Sequence, residues 1–367
     1  MSSNIVPVEW FAPQMTGGEL KNLEDVLNRN FINDGPLTKE FEKRVAAIVG
    51  VKHAVAVPNG TIALTLALMA LGIGVGDEVI VPNLTFIATA NAVRLAGAIP
   101  ILVDVEPLRF TIDADNVIAA ITRNTKAVMP VDVNGRGADY GRLEKICHDH
   151  GLLLVCDSAE AFGSAYNGRG LGSFGDAAAL SFSANKTIST GQGGMLLTNR
   201  LDVYERANQL KDQGRLKRGT GGDDLHPTQG YNFKFTDLQA AVGMAQLNEH
   251  ESRCRSAKIR DNWYRDALSG IDGLEFPDYS SQSAEVRQWT DVLIERRKKV
   301  QTALSAEKIG HRAFWFPIST QDPYLANKGD FSVSSRICAR GLWLPSYFNI
   351  TEEVIDRVSG VIKTALT

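Results

Sequence analysis

Through the first two thirds of the chain, short β-rich runs alternate with helix-like segments, and this alternation restricts the possible folds most strongly. The β-rich runs read HAVAVP, DEVIVP, IPILVDV, KAVMPVDV and LLLVCD, and two more, AAALSFS and GMLLTN, follow later. Helix-like segments lie between them, around residues 61–71, 88–96, 116–121 and 140–150. Repeated strand–helix–strand units predict an α/β fold, with a mainly parallel sheet flanked by helices. Ligands of such sheets bind at the carboxyl ends of the strands.

The pattern changes after a helical run at residues 237–260. Mixed pieces such as WTDVLI and HRAFWF follow, with helices between them. We therefore expect a large α/β domain with an N-terminal arm over residues 1–250 and a smaller C-terminal α+β domain over residues 251–367. A chain of 367 residues, 44% of them hydrophobic, is long enough to bury two cores. The stretch 216–230 is rich in glycine and charge and predicts a mobile loop.

Composition excludes several classes of protein. A net charge of -3 at pH 7 gives no electrostatic basis for binding nucleic acid or an anionic membrane. The four cysteines show no spacing typical of a zinc site or a disulfide framework, which indicates a reducing compartment and no metal. The N-terminus lacks the basic segment of a signal peptide, and the longest apolar stretch, IALTLALMALGIGVG, is shorter than the ~18 residues of a membrane span. We therefore expect a soluble, cytoplasmic protein.

A lysine follows one of the predicted buried strands. The stretch LSFSANKTISTGQGG carries Ser181 and Ser183 before Lys186, and a run of small and polar residues after it. Lysines are normally solvated surface residues, so an isolated one needs no functional explanation. An amine in a partly desolvated pocket, however, is a stronger nucleophile toward carbonyl carbons. Lys186 is therefore a candidate nucleophile, with a solvated surface lysine as the alternative.

Another strand end precedes Asn59, Gly60 and Thr61, in the stretch PNGTIALTLAL. Exposed N–H groups at a helix N-terminus, a glycine that allows close approach and a hydroxyl donor together favour binding of a phosphate. An ordinary turn with a threonine N-cap explains the same three residues. The phosphate interpretation therefore needs support from elsewhere in the chain.

An aspartate closes the strand in LLLVCDSAEAFG. Because an unpaired buried carboxylate is costly, Asp157 is expected to face a cation, a metal or a hydrogen-bond donor. The alternative is a helix N-cap, since Glu160 stands three residues later and the spacing fits a capping box. Gly170, Gly172 and Gly175 spell GxGxxG, but they lead into a strand instead of opening a helix, which argues against a dinucleotide site.

These strand-end features together indicate one cofactor, pyridoxal 5'-phosphate (PLP). Its aldehyde needs a lysine, its pyridine nitrogen needs an acid, and its phosphate needs an anion seat. Lys186, Asp157 and the residues around Gly60 would supply these three groups.

The motifs identify the chain as resembling the DegT/DnrJ/EryC1/StrS family of fold-type I, PLP-dependent sugar aminotransferases. Within that family the chain resembles the GDP-perosamine synthase branch. The resemblance covers nearly the whole chain and rests on ordered motifs: FINDGPLTKEFEK, PNGTIALTLALMALGIGVGDEVIVPNLTFIATANAV, HGLLLVCDSAEAFGSAYNGRGLGSFGD, SFSANKTISTGQGGMLLTN, GYNFKFTDLQAAVGMAQL and LPSYFNITEEVIDRV.

The resemblance implies roles for individual residues. Lys186 resembles the Schiff-base lysine, and Asp157 resembles the carboxylate that keeps the pyridine nitrogen protonated. Phe86 matches the aromatic residue that stacks on the cofactor ring, although an aromatic at this spacing is otherwise often part of a core. Asn232, in GYNFKF, matches an asparagine that reaches the phosphate of the neighbouring subunit in a homodimer. The remaining cofactor-binding positions are Gly60, Thr61, Ser181 and Glu160.

Three positions depart from the family pattern. Many relatives have glutamine where Glu160 stands, while perosamine synthases resemble this chain in having glutamate. Gln192 occupies a position that is usually acidic. Asp132 and Asn134 stand where relatives commonly have HLYG. The departures leave the cofactor chemistry in place and affect the identity of the substrate.

The implied reaction is a ping-pong transamination. L-glutamate donates the amino group, and Lys186 carries a proton between the donor's α-carbon and the cofactor. The implied acceptor is the C4 ketone of a nucleotide-linked 4-keto-6-deoxyhexose, and the product is an amino sugar for cell-surface polysaccharide or lipopolysaccharide. Residues that contact the substrate are expected in FWFPIST and in the 216–230 loop.

Alternatives to this substrate and activity stay open. Another ketosugar, including a free keto-octulosonate, could be the acceptor. A sugar 3-dehydratase of the same fold replaces the lysine by histidine, so Lys186 argues against it. A non-catalytic PLP-binding or regulatory protein would be indicated by loss of the lysine or by a helix-turn-helix arm, and neither is visible in the sequence.

Overall fold

The computed structural model of the chain describes residues 6–216, 225–278 and 284–367. Residues 217–224 of the predicted mobile loop lie outside these ranges. Within the described ranges, no helix combines the length and the apolar character needed to cross a lipid bilayer.

The described strands form a seven-stranded sheet, a four-stranded sheet and a short hairpin. Numbered in chain order, they are β1 (His53–Val57), β2 (Glu78–Pro82), β3 (Ile99–Val103), β4 (Thr125–Val128), β5 (Leu153–Asp157), β6 (Ala165–Tyr166), β7 (Arg169–Gly170), β8 (Ala177–Ser181), β9 (Gly194–Thr198), β10 (Leu274–Glu275), β11 (Asp291–Ile294), β12 (Arg312–Ala313) and β13 (Gly341–Trp343).

Helices connect these strands and cover them. They are α1 (Gly18–Asn28), α2 (Pro36–Val49), α3 (Gly60–Ala70), α4 (Ala88–Leu95), α5 (Ala114–Ala120), α6 (Tyr140–His150), α7 (Leu201–Lys211), α8 (Asp237–Asn248), α9 (His250–Ala267), α10 (Arg297–Ala306), α11 (Ser332–Arg340) and α12 (Glu352–Leu366). Short 3₁₀ helices cover Val133–Gly135, Ile318–Thr320 and Asp322–Tyr324.

The seven-stranded sheet has the order β1-β9-β8-β5-β4-β2-β3. Strands β8, β5, β4, β2 and β3 pair in parallel, while β9 is antiparallel to both β8 and β1. Since no helix intervenes between β8 and β9, the chain returns as an antiparallel neighbour instead of crossing over. Strand β1 therefore runs in the same direction as β8, and six strands place their carboxyl ends at one edge. This confirms the predicted α/β fold with a mainly parallel sheet.

Helices pack on both faces of this sheet because successive side chains of each buried strand point to opposite sides. On β5, Leu154 and Cys156 lie in one apolar cluster, and Val155 lies in the other. The first cluster includes side chains of α2 and α6, and the second includes side chains of α3, α4 and α7.

The four-stranded sheet has the order β10-β11-β13-β12 and is antiparallel throughout. Its core contains buried residues of β11, α10 and α12, among them Val292, Val300 and Ile355. Val8 also packs there and pairs with Ile309, so the N-terminal arm contacts the smaller sheet. The predicted domain boundary at residue 250 coincides with the start of α9, and the division into two domains at this residue stays a prediction.

Candidate active site

A pocket of about 390 Å³ opens at the carboxyl ends of β1, β5 and β8. Seven of the eight residues predicted to bind the cofactor line it. They are Gly60, Thr61, Phe86, Asp157, Glu160, Ser181 and Lys186. The structure thus brings together residues that are far apart in the sequence. Their catalytic and binding roles stay predictions.

One side of the pocket is the N-terminus of α3. Asn59 caps this helix, since its side-chain oxygen accepts a hydrogen bond of 2.9 Å from the N–H of Ile62. The N–H groups of Gly60 and Thr61 belong to the first turn and have no acceptor within the helix. A Cβ on Gly60 would lie 3.4 Å from Ser181 Oγ, which places that hydroxyl beside the helix terminus. Backbone donors, a hydroxyl and the helix dipole therefore converge on a seat for an anion.

Asp157 ends β5 and is 5% exposed. Burial raises the pKa of its carboxyl, and hydrogen bonds from the Thr89 hydroxyl (2.7 Å) and the Ala159 N–H (3.2 Å) oppose that rise. In the described chain no helix follows β5 before β6, so the N-cap interpretation of Asp157 is not supported. A buried carboxylate held by two donors is suited to face a cationic nitrogen in the pocket.

Lys186 and Glu160 form an ion pair inside the pocket. Lys186 Nζ lies 3.2 Å from Glu160 Oε1, and the two side chains are 11% and 7% exposed. The same Nζ lies 5.2 Å from the centre of the Trp289 ring, within the range of a cation–π contact. The amine is therefore removed from bulk water and held between a carboxylate and an indole. This geometry disfavours the interpretation of Lys186 as a solvated surface lysine.

The opposite side of the pocket comes from the smaller sheet and the segment before it. Trp289 precedes β11, Arg312 lies on β12, and Trp315 follows β12. The Arg312 guanidinium carbon lies 5.4 Å from the Trp10 ring and 5.6 Å from the Trp343 ring. No acidic side chain among the described residues pairs with Arg312. The pocket thus offers a guanidinium group to an anionic ligand.

Sequence reasoning missed Trp289 and Arg312 as residues of the site. The predicted substrate-contacting stretch FWFPIST does include Trp315. In the sequence Trp289 belongs only to the strand-like piece WTDVLI, and no local pattern sets Arg312 apart from other arginines. The one available signal was the arginine just before an aromatic cluster in HRAFWF.

Asn232 is exposed and does not line the pocket of its own chain. It forms an isolated bridge with Asp212, and its neighbours Tyr231 and Phe233 stack with ring centres 4.9 Å apart. Its predicted role at the phosphate of a neighbouring subunit stays a prediction.

The positions that depart from the family pattern lie in different places. Gln192 lines the pocket, and its carbonyl accepts a hydrogen bond of 2.7 Å from Gln239 Nε2. Asp132 and Asn134 are fully buried behind the lining residues. Asp132 accepts hydrogen bonds from Ser158 Oγ (2.6 Å) and the Tyr140 hydroxyl (2.7 Å). Burial nevertheless raises the pKa of Asp132 to about 7.

The residues present fit PLP. The N-terminus of α3 suits its phosphate, the Asp157 carboxylate suits its ring nitrogen, and the Lys186 amine suits its carbonyl carbon. The fit is steric as well as chemical, because a Cβ on Gly60 would lie 3.0 Å from the Ser181 Cβ and crowd the phosphate seat.

The chain is similar to several known proteins along nearly its whole length. GDP-perosamine synthase of Caulobacter vibrioides is 37% identical, covering 99% of this chain and 100% of that protein. GDP-perosamine synthase of Vibrio cholerae is 34% identical, with 98% of each chain covered. The crystal structure of DesI in the presence of its TDP-sugar product superposes with a TM-score of 0.91 at 31% identity, covering 98% of this chain and 93% of that one.

The sequence model of one family matches residues 13–363, nearly the whole chain. Fold, site geometry and relatives lead to the same assignment: the chain belongs to the DegT/DnrJ/EryC1/StrS aminotransferase family, whose members use PLP.

Proposed function

We propose that this aminotransferase moves the amino group of L-glutamate to a nucleotide-linked ketosugar, most simply a 4-keto-6-deoxyhexose, for cell-surface polysaccharide or lipopolysaccharide. The observation that carries the proposal is the buried Lys186–Glu160 pair, 3.2 Å apart, in the pocket that also holds Asp157 and the anion seat of α3. A nucleophilic amine, an acid and a phosphate seat in one cavity are what PLP-dependent transamination requires.

Each residue of the site has a proposed task. PLP, when bound, supplies an electrophilic carbon and a ring that delocalises the electrons of a broken C–H bond. The N–H groups of Gly60 and Thr61 and the Ser181 hydroxyl hold the phosphate. Asp157 keeps the proton on the ring nitrogen, while Thr89 and Ala159 orient its carboxylate.

Lys186 is proposed as the acid–base group. Its Nζ would take up the proton from the α-carbon of the amino donor and hold it for delivery within the pocket. Glu160 accepts a hydrogen bond from this amine and keeps it aimed into the pocket. The low exposure of both side chains limits exchange of that proton with bulk water.

The substrate class is supported by one cationic group of the pocket, Arg312, and by the relatives. Both proposed substrates are anionic, and Arg312 offers a guanidinium group that is not paired with any described acid. The similar proteins include GDP-perosamine synthases and DesI, whose structure was determined with a TDP-sugar product. A nucleotide-linked sugar is therefore favoured over a free keto-octulosonate.

We propose that the active form is a cytoplasmic homodimer. Asn232 is exposed and lies outside its own pocket, which leaves its side chain available to a second subunit. Mixing Lys186→Ala protomers with Asn232→Ala protomers is then expected to restore part of the activity, since some heterodimers contain one site with both native groups. Light scattering that shows a monomer would contradict this arrangement.

The proposed function is tested by incubating the purified enzyme with PLP, L-glutamate and a panel of ketosugars, and by detecting amino sugars through their mass. We expect amination of nucleotide-linked 4-keto-6-deoxyhexoses, and none with Lys186→Ala. Borohydride reduction followed by peptide mapping should place the pyridoxyl group on Lys186. An adduct on another lysine, or amination of a free keto-octulosonate alone, would contradict the proposal.

A further inference from the structure

A single asparagine side chain binds both backbone polar groups of Trp289. Asn134 Nδ2 donates a hydrogen bond of 2.6 Å to the Trp289 carbonyl, and Asn134 Oδ1 accepts one of 2.8 Å from the Trp289 N–H. Asn134 is fully buried and has a φ of 52°, in the left-handed region that asparagine tolerates better than most residues. Paired hydrogen bonds fix both the distance and the orientation of the peptide they bind.

The two residues after Asn134 dock the same segment. Gly135 has a φ of 83°, and a Cβ at this position would collide with the Val286 carbonyl. Arg136 Nη1 lies 2.7 Å from Asp291 Oδ2, and both side chains are buried. Residues 134–136 therefore fasten the segment 286–291, and with it Trp289, to the large sheet.

The same asparagine also reaches the catalytic lysine through Glu160. The Asn134 backbone N–H donates a hydrogen bond of 3.0 Å to Glu160 Oε2, while the other oxygen, Oε1, pairs with Lys186 Nζ. Lys186 Nζ also lies 5.2 Å from the Trp289 ring centre. Each of the four residues Asn134, Trp289, Lys186 and Glu160 therefore contacts the next, and Glu160 contacts Asn134 again. One residue thus orients both groups that flank the amine.

We propose that Asn134 is a positioning residue for the reaction, holding the Trp289 ring and the Glu160 carboxylate on two sides of Lys186 Nζ. The inference rests on the proposed role of Lys186 as the acid–base group. Proton transfer requires the amine within hydrogen-bond reach of the reacting carbon, and small displacements of such a group lower the rate strongly. Asn134 does not line the pocket and acts through Trp289 and Glu160.

The variant Asn134→Gly tests the side chain of Asn134 separately from its backbone. Glycine adopts a positive φ readily, so the backbone N–H to Glu160 is kept while both hydrogen bonds to Trp289 are lost. In the cofactor-free protein, we expect faster deuterium exchange in the peptide that contains the Trp289 amide. In the loaded enzyme, the rate of the glutamate half-reaction at saturation should fall about tenfold, with glutamate binding changed less than about twofold.

Asn167→Gly is the matched control. Asn167 also has a positive φ, 48°, but it lies exposed in the turn between β6 and β7. We expect this variant to change neither the exchange near Trp289 nor the half-reaction. Unfolding temperatures of both variants show whether each is folded.

Trp289→Leu keeps the proposal testable if Asn134→Gly does not fold. It retains the backbone bridge to Asn134 but removes the ring from Lys186, so the half-reaction should slow by a similar factor while its own amide stays protected. A fully active Trp289→Leu variant, or an Asn134→Gly variant with faster exchange and an unchanged half-reaction, would overturn the proposal. A wild-type enzyme that shows no glutamate half-reaction would instead refute the proposed function. The deuterium-exchange measurement needs no activity, so it tests the hydrogen bonds between Asn134 and Trp289 in either case.

Discussion

The two sides of the pocket are built in different ways. The strand-end wall, formed by Gly60, Thr61, Asp157, Ser181 and Lys186, is supplied by the large sheet. Its polar groups are held by hydrogen bonds and a helix terminus at the ends of parallel strands. The small-sheet wall, formed by Trp289, Arg312 and Trp315, consists of aromatic rings and a guanidinium group.

The three side chains of the small-sheet wall pack around one buried residue. Trp343 is 1% exposed, and its ring lies 5.1 Å from that of Trp289 and 4.8 Å from that of Trp315. The Arg312 guanidinium carbon lies 5.6 Å from the same ring. Ring packing places most of this wall, and two hydrogen bonds to Asn134 also hold the backbone of Trp289, whereas hydrogen bonds and an ion pair place the other wall. We infer that the strand-end wall carries the chemistry, with Trp289 supporting it beside Lys186, and that Arg312 of the small-sheet wall selects the substrate.

The largest expected effect tests the chemical role of the strand-end wall. Asp157→Asn should still bind PLP but lose on the order of 10²–10³ in kcat, because a neutral amide does not stabilise a protonated ring nitrogen. Steady-state kinetics and the visible spectrum of the bound cofactor measure the two properties separately. Asp132→Asn, which changes a buried carboxylate outside the pocket, is the control and should retain near wild-type turnover. Similar kcat values for the two variants would show that Asp157 has no chemical role that Asp132 lacks.

The second prediction tests the small-sheet wall. Arg312→Met should lower kcat/KM for the nucleotide-linked ketosugar about 10–100-fold, mainly through KM, since one charge-assisted hydrogen bond is lost. Because Arg312 is exposed, we expect it to contact the nucleotide part, which extends away from the reacting ketone. The glutamate half-reaction, measured alone, should change little.

Arg94→Met is the control for this experiment. Arg94 is also exposed and lies over a ring, 5.6 Å from the centre of Tyr324, but it does not line the pocket. A loss confined to the glutamate half-reaction in Arg312→Met would show that Arg312 binds the donor carboxylate instead.

Much of the strand-end wall could be predicted from the sequence. Apolar runs that end in polar residues mark the carboxyl ends of parallel strands, which meet at one edge. Lys186, Asp157 and Gly60 follow from this rule, and the structure places them around one pocket. The rule does not distinguish Asp157 from Asp132, since both follow buried strands. Only the fold shows that Asp132 is turned toward Tyr140 and Ser158.

The small-sheet wall could not be predicted in the same way. Trp289 and Arg312 reach the pocket because the smaller sheet packs against the large one, and no short pattern in the sequence records that packing. The hydrogen bonds between Asn134 and Trp289 join residues 155 positions apart. Such contacts depend on tertiary geometry and not on local propensity.

A smaller effect is expected at the phosphate seat. Gly60→Ala would place a Cβ 3.0 Å from the Ser181 Cβ, so Ser181 must shift and its hydroxyl should bind phosphate less well. We expect the Kd of PLP to rise about tenfold, because roughly one hydrogen bond to a charged group is weakened. Gly360→Ala is the control, because a Cβ there meets nothing within 4 Å. Equal PLP affinities in the two variants would show that the seat tolerates this shift.

The smallest effect concerns Asp132 and appears in stability. Burial raises the pKa of its carboxyl to about 7 in the folded protein, against 3.8 for the unperturbed group. At pH values between these two pKa values, Asp132 is therefore protonated in the folded state and ionised in the unfolded state. By linkage, this proton stabilises the fold at low pH, and the contribution is lost as the pH rises toward about 7.

Asparagine does not titrate, so Asp132→Asn should reduce the decrease in unfolding temperature between about pH 5 and about pH 8. Asp157, whose pKa is also raised by burial, titrates in the same direction and is present in both proteins, and its charge is the smallest of the causes that shift the pKa of Asp132. The difference between the two proteins therefore reports Asp132 together with this coupling. The amide keeps an oxygen acceptor for one of the two hydroxyls, of Ser158 or Tyr140, and the other hydroxyl can rotate to accept a hydrogen bond from the new amide N–H group. Differential scanning calorimetry over this pH range measures how the unfolding temperature of each protein changes with pH. Parallel curves would show that Asp132 is ionised in the folded protein throughout this pH range, and that its hydrogen bonds to the two hydroxyls outweigh the effect of burial.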